Sequence, residues 1–563
     1  MTPPDHAAAV NALADRFWEV VLEESPLTAT VYGDDRYDDR LPDISAAGRA
    51  RARAHREATL TELAAIPVDA LPTEERITHD MLRVVCELGI RADDLRMDVI
   101  ASVDQMDGPQ ALLPQLVQLQ RADTPERLEK LLARYAAFPT YIDDAIAIME
   151  EGRADGSTAA RLVADRVIAQ TERLLAVPTA ESAPVRIPRL DPGAEAVGRS
   201  SLEAAVERDV RPALARYLEA VRGPYLAATR DEPGLWSAPR GEERYRAAIL
   251  QWTTLELDPA EVHEVGLAEL AAIQAEQRAI ARAAGFGEDI DAYRAALHAD
   301  PANRVSTKAE LVARATEDIG RAYAQAPRAF GRLPRAACEV RAVEEFMEAD
   351  APFAFYYPPA VDGSRPGIYF VNAGDLPSRY LSNLATTTYH EAVPGHHFQI
   401  TLEMEHPSLP AFRRHGSRAV GSAYAEGWGL YSERLADELG LYRNEGERFG
   451  MLGGQAWRAA RLVVDTGIHA LRKDREWGVD VLRRAGLTET DAAIETDRYV
   501  VWPGQALTYK VGQRQIERLR TELTARDGAA FDLRAFHDAL LGHGSLPLAT
   551  LARELPRWVA PAG

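Results

Sequence analysis

The sequence predicts a mainly α-helical protein with one small β-sheet. Three observations carry that prediction. Apolar residues recur at three- and four-residue steps through most of the 563 residues. Ala, Leu, Glu and Arg, all good helix formers, dominate those segments. Only one stretch breaks the habit, residues 353–376, "FAFYYPPAVDGSRPGIYFVNAGDL", which is aromatic and β-branched with turn residues between.

In chain order, "HAAAVNALADRFWEVVLEE", "RARAHREATLTELAAI", "ERITHDMLRVVCELGIRADDL" and "PERLEKLLARYAAFPTYIDDAIAIMEEGRADG" each read as a helix with one apolar face. Proline and glycine then punctuate "VPTAESAPVRIPRLDPG", residues 177–193, which is the best candidate for a lobe boundary or long loop. A second loop cluster is expected at 222–245, "RGPYLAATRDEPGLWSAPRGEERY". Helix resumes in "PAEVHEVGLAELAAIQAEQRAIARAAG". These breaks divide the chain into an N-terminal helical lobe, 1–230, and a catalytic helical lobe, 231–563. Within 353–376, "GIYFVN" has the look of a short strand, and it directly precedes a histidine-rich segment. No repeat at a fixed period and no Gly-rich phosphate loop occurs.

Composition bounds the partners. The formal charge is −21, from 65 Lys plus Arg against 86 Asp plus Glu. So acidic a body argues against nucleic acid or an anionic membrane as the main partner. Only two cysteines occur, Cys86 and Cys338, which excludes a disulfide framework and a Cys-rich metal site, and both read as buried thiols. The N-terminus has neither the basic start nor the apolar core of a signal peptide. No uncharged apolar run approaches the roughly 20 residues that span a bilayer. The expectation is a soluble, cytoplasmic protein. Its oligomeric state, including a homodimer, stays open.

"TTTYHEAVPGHHFQI", residues 386–400, places His390, Glu391, His396 and His397 within eight positions. In the zinc-protease motif H-E-x-x-H, histidines at i and i+4 stand on one helix face, and the Glu after the first faces a bound water. Here position i+4 is Pro394. In a straight helix His396 would lie roughly 9 Å along the axis from His390, and His397 roughly 10.5 Å. Two nitrogens on one zinc must come within about 3–3.5 Å of each other. But Pro394 cannot continue a regular helix, and Gly395 accepts almost any backbone angle. With "PG" read as an insert that bulges out, His396 falls where the second histidine belongs. His397 is then a neighbour, able to hydrogen-bond substrate or a ligand, and it stays the alternative second ligand.

Zinc hydrolysis needs a third protein ligand. "GSAYAEGWGLYSERLADELG" offers Glu426 and Glu433. Glu426 is favoured, because the small residues beside it, Gly427 included, would let a metal approach. Glu433, next to Arg434, reads as a solvated or salt-bridged carboxylate. A second His-Glu pair, His263-Glu264, has Leu267 at i+4 and no further histidine, and reads as structural. A di-iron bundle needs two Glu-x-x-His pairs; the chain holds one, Glu403 with His406.

"YHEAVPGHHFQ", "AEGWGLYSERLADELGLY", "WRAARLVVDTGIH" and "RYVVWPGQALTYKVG", with "YYPPAVDGSRPGIYFVN" before them and "FHDALLGHGSLPLATL" after, resemble the bacterial family called domain of unknown function 885. The resemblance is strong over roughly 350–555 and weaker in the helical N-terminal half. Its members look like helical gluzincin-type metallopeptidases, related in shape to the thimet-oligopeptidase, angiotensin-converting-enzyme and carboxypeptidase Taq groups. The resemblance implies a large multi-helix architecture with a deep cleft and a small sheet beside the metal helix. It implies one zinc held by His390, His396 and Glu426, with Glu391 as base. Ala392 stands where many members carry Gly.

Further residues have candidate roles. Tyr509 is the candidate donor to the oxyanion of peptide hydrolysis. Arg461, Asp465 and His469 stand at four-residue steps on one helix face. They form either a structural ladder or a site in which His469 reaches the transition state and Arg461 holds a substrate carboxylate. Lys510 and Arg498 are further cations for substrate, and Arg365 is a candidate at a cleft mouth. Ile368–Asn372 would either pair, as an edge strand, with a peptide backbone or belong to a small sheet that covers the core. His537 and His543 read as packing or surface residues. The expected function is zinc-dependent hydrolysis of short or unfolded peptides, with metal-activated water and Glu391 as general base. The alternatives are a metal-dependent amidase or esterase acting on a small non-peptide molecule, and a non-catalytic helical scaffold with a degenerate site. Manganese, cobalt or iron remain alternatives to zinc.

Overall fold

The computed structural model describes residues 5–187, 190, 195–343, 348, 352–360, 363, 365–416 and 420–559. Helices account for most of them, as the periodicity predicts. The first runs His6–Glu24, where the Asp5 side chain accepts from the Ala8 N–H and so satisfies one of the helix's free donors. Others run Ala46–Ala64, Thr73–Asp94, Pro125–Asp155 and Pro259–Ala283. The last two start with proline at the first position behind a capping Thr124 or Asp258. The segment expected as a loop at 222–245 is shorter than that. A helical run reaches Ala228 at one end, and the helix Gly241–Thr253 begins at the other.

The apolar faces form large buried clusters that cross the expected lobe boundary. One packs Leu13, Phe17, Ile77 and Met81 of the N-terminal helices against Tyr389, Trp428, Leu519 and Leu551. Another packs Tyr135, Phe138 and Tyr217 against Val463, Ile468 and Tyr499. These two clusters are therefore shared between the segments 1–230 and 231–563, while the buried residues of two smaller ones lie within 231–563. The 177–193 stretch follows the same rule where it is described: Val185 and Ile187 are buried, and the Tyr135 hydroxyl donates to the Pro184 carbonyl. Its residues 188–189 and 191–193 lie outside the described residues.

The small sheet has three strands: β1 (Cys338–Ala342), β2 (Ala354–Tyr357) and β3 (Gly367–Val371), in the order β1-β3-β2. β3 pairs in parallel with β1 and antiparallel with β2. The predicted strand exists, but it is central. Its backbone groups are taken on both sides, so Ile368–Val371 cannot serve as an edge for substrate. Asn372 is spent too, its N–H donating to Phe353.

Five helices beyond the sheet position the histidine cluster: α1 (Leu381–Glu391), α2 (His396–Met404), α3 (Ala423–Glu438), α4 (Glu445–His469) and α5 (Thr508–Asp527). α3 and α5 cross closely through paired glycines. A Cβ on Gly427 would lie 2.4 Å from the Gly512 Cα, and one on Gly512 would lie 1.9 Å from the Ala423 carbonyl oxygen. Gly427 thus serves helix approach, not metal approach. No helix among the described residues is long and apolar enough to cross a membrane.

Candidate metal centre

The motif does not form one bulged helix. α1 ends at Glu391, residues 392–395 turn, and α2 begins at His396. Continuation past Glu391 would need the missing N–H of Pro394 and would crowd the carbonyl of residue 390. Gly395 is required by contact: a Cβ there would stand 1.8 Å from the His390 carbonyl oxygen. The turn is pinned from α3, where the fully buried Trp428 donates its indole N–H to the Pro394 carbonyl at 2.9 Å. Neither tryptophan nor turn is exposed, so the path from His390 to His396 is set by the core.

The result is the convergence the spacing requires. The rings of His390 and His396 lie 4.8 Å apart, nearly perpendicular. His390, Glu391 and His396 each offer a ligand atom within 4.8 Å of the others. Glu426, in the first turn of α3, completes the group: its Oε2 lies 3.4 Å from His390 Nε2 and 3.5 Å from His396 Nε2. Ligands about 2.1 Å from one tetrahedral zinc stand about 3.4 Å from each other. Both nitrogens already stand at that distance from the Glu426 oxygen. His390 reaches Glu426 only because Gly429 has no side chain; a Cβ there would stand 2.8 Å from the imidazole.

Glu433 is the residue that sequence reasoning misplaced. It is 1% exposed, and its Oε1 accepts from His390 Nδ1 at 2.8 Å. Arg434 turns the other way, to Glu276. Seven residues separate Glu426 from Glu433, two helical turns. That spacing is the signal that both flank one imidazole. Behind Glu433, Gln455 donates to its Oε2 at 3.0 Å and accepts from Lys510 Nζ at 3.0 Å. Lys510, 2% exposed and pushed down to about 8 by burial, therefore braces this network and is not open to substrate.

The electrostatics suit a cation. Burial works against a charged His390, yet the carboxylates of Glu426 and Glu433 outweigh it and push the imidazole up to about 10. Glu426 is held well below its usual range: burial raises it, but hydrogen bonds to His390 and His396 prevail. Glu391 goes the other way, raised mainly by burial. Three carboxylates thus surround two imidazoles, and His396 Nδ1 is buried without a hydrogen-bond partner among the described residues. Two nitrogens and one carboxylate oxygen form a donor set that fits zinc or a similar divalent transition metal.

Other predicted residues separate into near and far. The Tyr509 ring lies 6.4 Å from the His390 ring and stacks with it. Arg461, on α4, stands over Tyr509 with Cζ 4.4 Å from the ring centre. Arg498 is one ion pair further out, sharing Glu495 with Arg461 and donating to Gln505. His397 is not on this side: it is fully buried, with Tyr356 hydroxyl at 2.8 Å from Nδ1 and the Ala336 carbonyl 3.1 Å from Nε2. It ties α2 to the sheet. His469 does not reach the cluster either. Its Nδ1 accepts from the Leu235 N–H and its Nε2 donates to the Tyr499 carbonyl. Asp465 holds the Tyr245 hydroxyl and the Gly504 N–H, so the Arg-Asp-His series is structural at its Asp and His. Arg365 donates to the Pro358 carbonyl. His263 meets Thr466, and Glu403 meets Ser545 and Gly416. His537 is buried, with its Nδ1 on the Ala329 carbonyl. Cys86 is buried and Cys338 partly so, both as free thiols.

A mainly helical enclosure around a buried His-Glu-His-Glu cluster thus defines the chain. It belongs to the family described as bacterial protein of unknown function (DUF885), which it matches over residues 26–555. The fold is shared with solved structures. One, described as "the putative lipoprotein from Colwellia psychrerythraea", has a TM-score of 0.90 at 28% identity and covers 99% of both chains. Another, described as "a putative lipoprotein of unknown function from Shewanella oneidensis", has a TM-score of 0.74 at 19% identity, covering 96% of this chain and 98% of that one. No curated protein matches.

Proposed function

We propose that the protein is a metal-dependent hydrolase of peptide or closely related amide bonds, of gluzincin type. The observation that carries this reading is the meeting of His390 Nε2 and His396 Nε2 on Glu426 Oε2, at 3.4 and 3.5 Å, with Glu391 in the same group. His390, His396 and Glu426 would hold the metal, with Glu433 orienting His390. Zinc, when bound there, supplies Lewis acidity toward water and a substrate carbonyl.

The remaining work falls to side chains. Glu391 takes the proton of the attacking water and passes it to the leaving amine. Its carboxyl, raised by burial, is suited to hold that proton between the two steps. The Tyr509 hydroxyl donates to the oxygen on which charge develops. Substrate enters from the side on which His396 and Glu426 keep 12% and 20% side-chain exposure, while His390 and Glu433 are turned inward. So confined an approach favours extended, short or unfolded peptides.

The test has two parts. Elemental analysis of purified protein is expected to give one equivalent of zinc or another divalent transition metal. A mixed peptide library read by mass spectrometry is expected to give defined cleavage by the metal-loaded form only. Protein without affinity for any such metal would leave a helical scaffold as the better reading, and cleavage confined to acylated small amines or esters would leave the small-molecule amidase.

A further inference from the structure

Two arginines beside the cluster are not fully used by the fold. Arg458 and Arg461 stand about one turn apart on α4. Arg461 is 2% exposed; its Nε donates to the Tyr499 hydroxyl and its Nη2 to Glu495, each at 2.9 Å. Its Nη1 is buried and has no hydrogen-bond partner among the described residues. Arg458 is half-buried. Its one described hydrogen bond is a long one, 3.5 Å to the Gly454 carbonyl, and its Nε is buried and unpartnered. No carboxylate lies within 4.0 Å of its charge among the described residues. Burying a guanidinium N–H without an acceptor is costly, so donors left open in this way stand ready for an anion.

The surroundings define which anion. Both guanidiniums lie against Trp457, with Cζ 4.3 and 4.5 Å from its ring, and both face Tyr509, at 5.7 and 4.4 Å. Tyr509 in turn stacks on His390. Aromatic walls and forked donors suit a small planar anion held by two parallel hydrogen bonds. A charge of −21 disfavours large polyanions. Tyr509 separates the guanidiniums from His390, and one peptide residue spans about 3.5 Å, so a group bound here lies within about three residues of a bond at the histidine cluster.

We propose that Arg458 and the free Nη1 of Arg461 form a subsite for the C-terminal carboxylate of a peptide, so that the substrates are short peptides cleaved next to a free C-terminus. This rests on the hydrolase reading for its catalytic meaning, but the anion subsite can be tested without turnover. The probes are N-acetyl-phenylalanine and its primary amide, titrated into zinc-loaded and zinc-stripped full-length protein. Binding is followed by calorimetry and by tryptophan fluorescence, since Trp457 touches both guanidiniums.

The acid is expected to bind at least about tenfold more tightly than the amide in both forms. Arg458→Gln is expected to remove that preference, and Arg458→Lys to restore part of it; Arg461, which is paired with Glu495, is left in place because its loss endangers folding. Equal affinities, binding of neither probe, a preference seen only in the zinc-loaded form, or one that survives in Arg458→Gln would each overturn the subsite. Absence of peptide cleavage by zinc-loaded protein, with the acid preference intact, would remove the hydrolase reading and leave the subsite standing.

Discussion

Glu433 Oε1 lies 2.8 Å from His390 Nδ1, and this contact turns the other nitrogen of the ring toward Glu426. A carboxylate behind a ligand histidine fixes its tautomer and raises its basicity. Glu433 therefore acts through His390, and Gln455 holds Glu433 in turn.

Glu433→Gln is expected to weaken zinc affinity by about 10–100-fold while leaving the ion in the same ligands. A chelator-competition titration reads this directly. Unchanged affinity would mean that the 2.8 Å contact does not orient the ring.

Glu391 and Tyr509 should separate from the ligands by what they leave intact. Glu391→Gln is expected to keep stoichiometric metal and lose about 100–10,000-fold in turnover, the usual weight of a general base. Tyr509→Phe should cost roughly 100-fold in kcat with little change in metal content, as for removal of one oxyanion donor. Metal analysis beside steady-state kinetics checks both. Loss of metal in Glu391→Gln would reassign that residue as a ligand.

Gly429→Ala tests how tightly the centre is packed. The new methyl would stand 2.8 Å from the His390 ring. Overpacking of this kind costs about 1–3 kcal/mol of stability, and here it also tilts a ligand. Urea unfolding of the metal-free form and zinc titration should both register the change. Gly453, which has nothing within 4 Å of a built Cβ, gives the control: Gly453→Ala should be neutral or slightly stabilising.

Buried neutral histidines should make the protein acid-labile. Burial lowers His415 and His469 to about 4 and His537 to about 3. At His469 a second ring proton would face the Leu235 N–H. These folded-state values lie below the unfolded one, about 6.5, so the unfolded chain binds more protons. Stability is therefore present above pH 6.5 and is lost as pH falls toward 4. Each group should cost roughly 2 kcal/mol between pH 7 and pH 5. Denaturant unfolding of metal-free protein at the two pH values measures it, and an unchanged midpoint and slope would contradict the assignment.

The helices were legible wherever one face is apolar, because that period is a property of neighbouring residues. His6–Glu24 and Pro125–Asp155 begin where the pattern says. The make-up of the cluster was legible too. His390, Glu391 and His396 are confined to one short segment, and Pro394 with Gly395 announces that the path between them is not a helix.

What the sequence alone determined is which side chains are on offer: two imidazoles, a carboxylate beside the first and a nearby acidic helix. Only the tertiary structure decided which of them face one another. Glu433 looked like a surface carboxylate beside Arg434 until α3 packed it against His390. "GIYFV" looked like an edge until β1 and β2, from either side in sequence, paired with it. His397 and His469 looked available until the sheet and the Leu235 loop claimed their nitrogens. The physical reason is the same each time. Residue type and spacing set what a group can do and where it lies on its own helix or strand, but its partners come from segments tens to hundreds of residues away, and only close packing chooses among them.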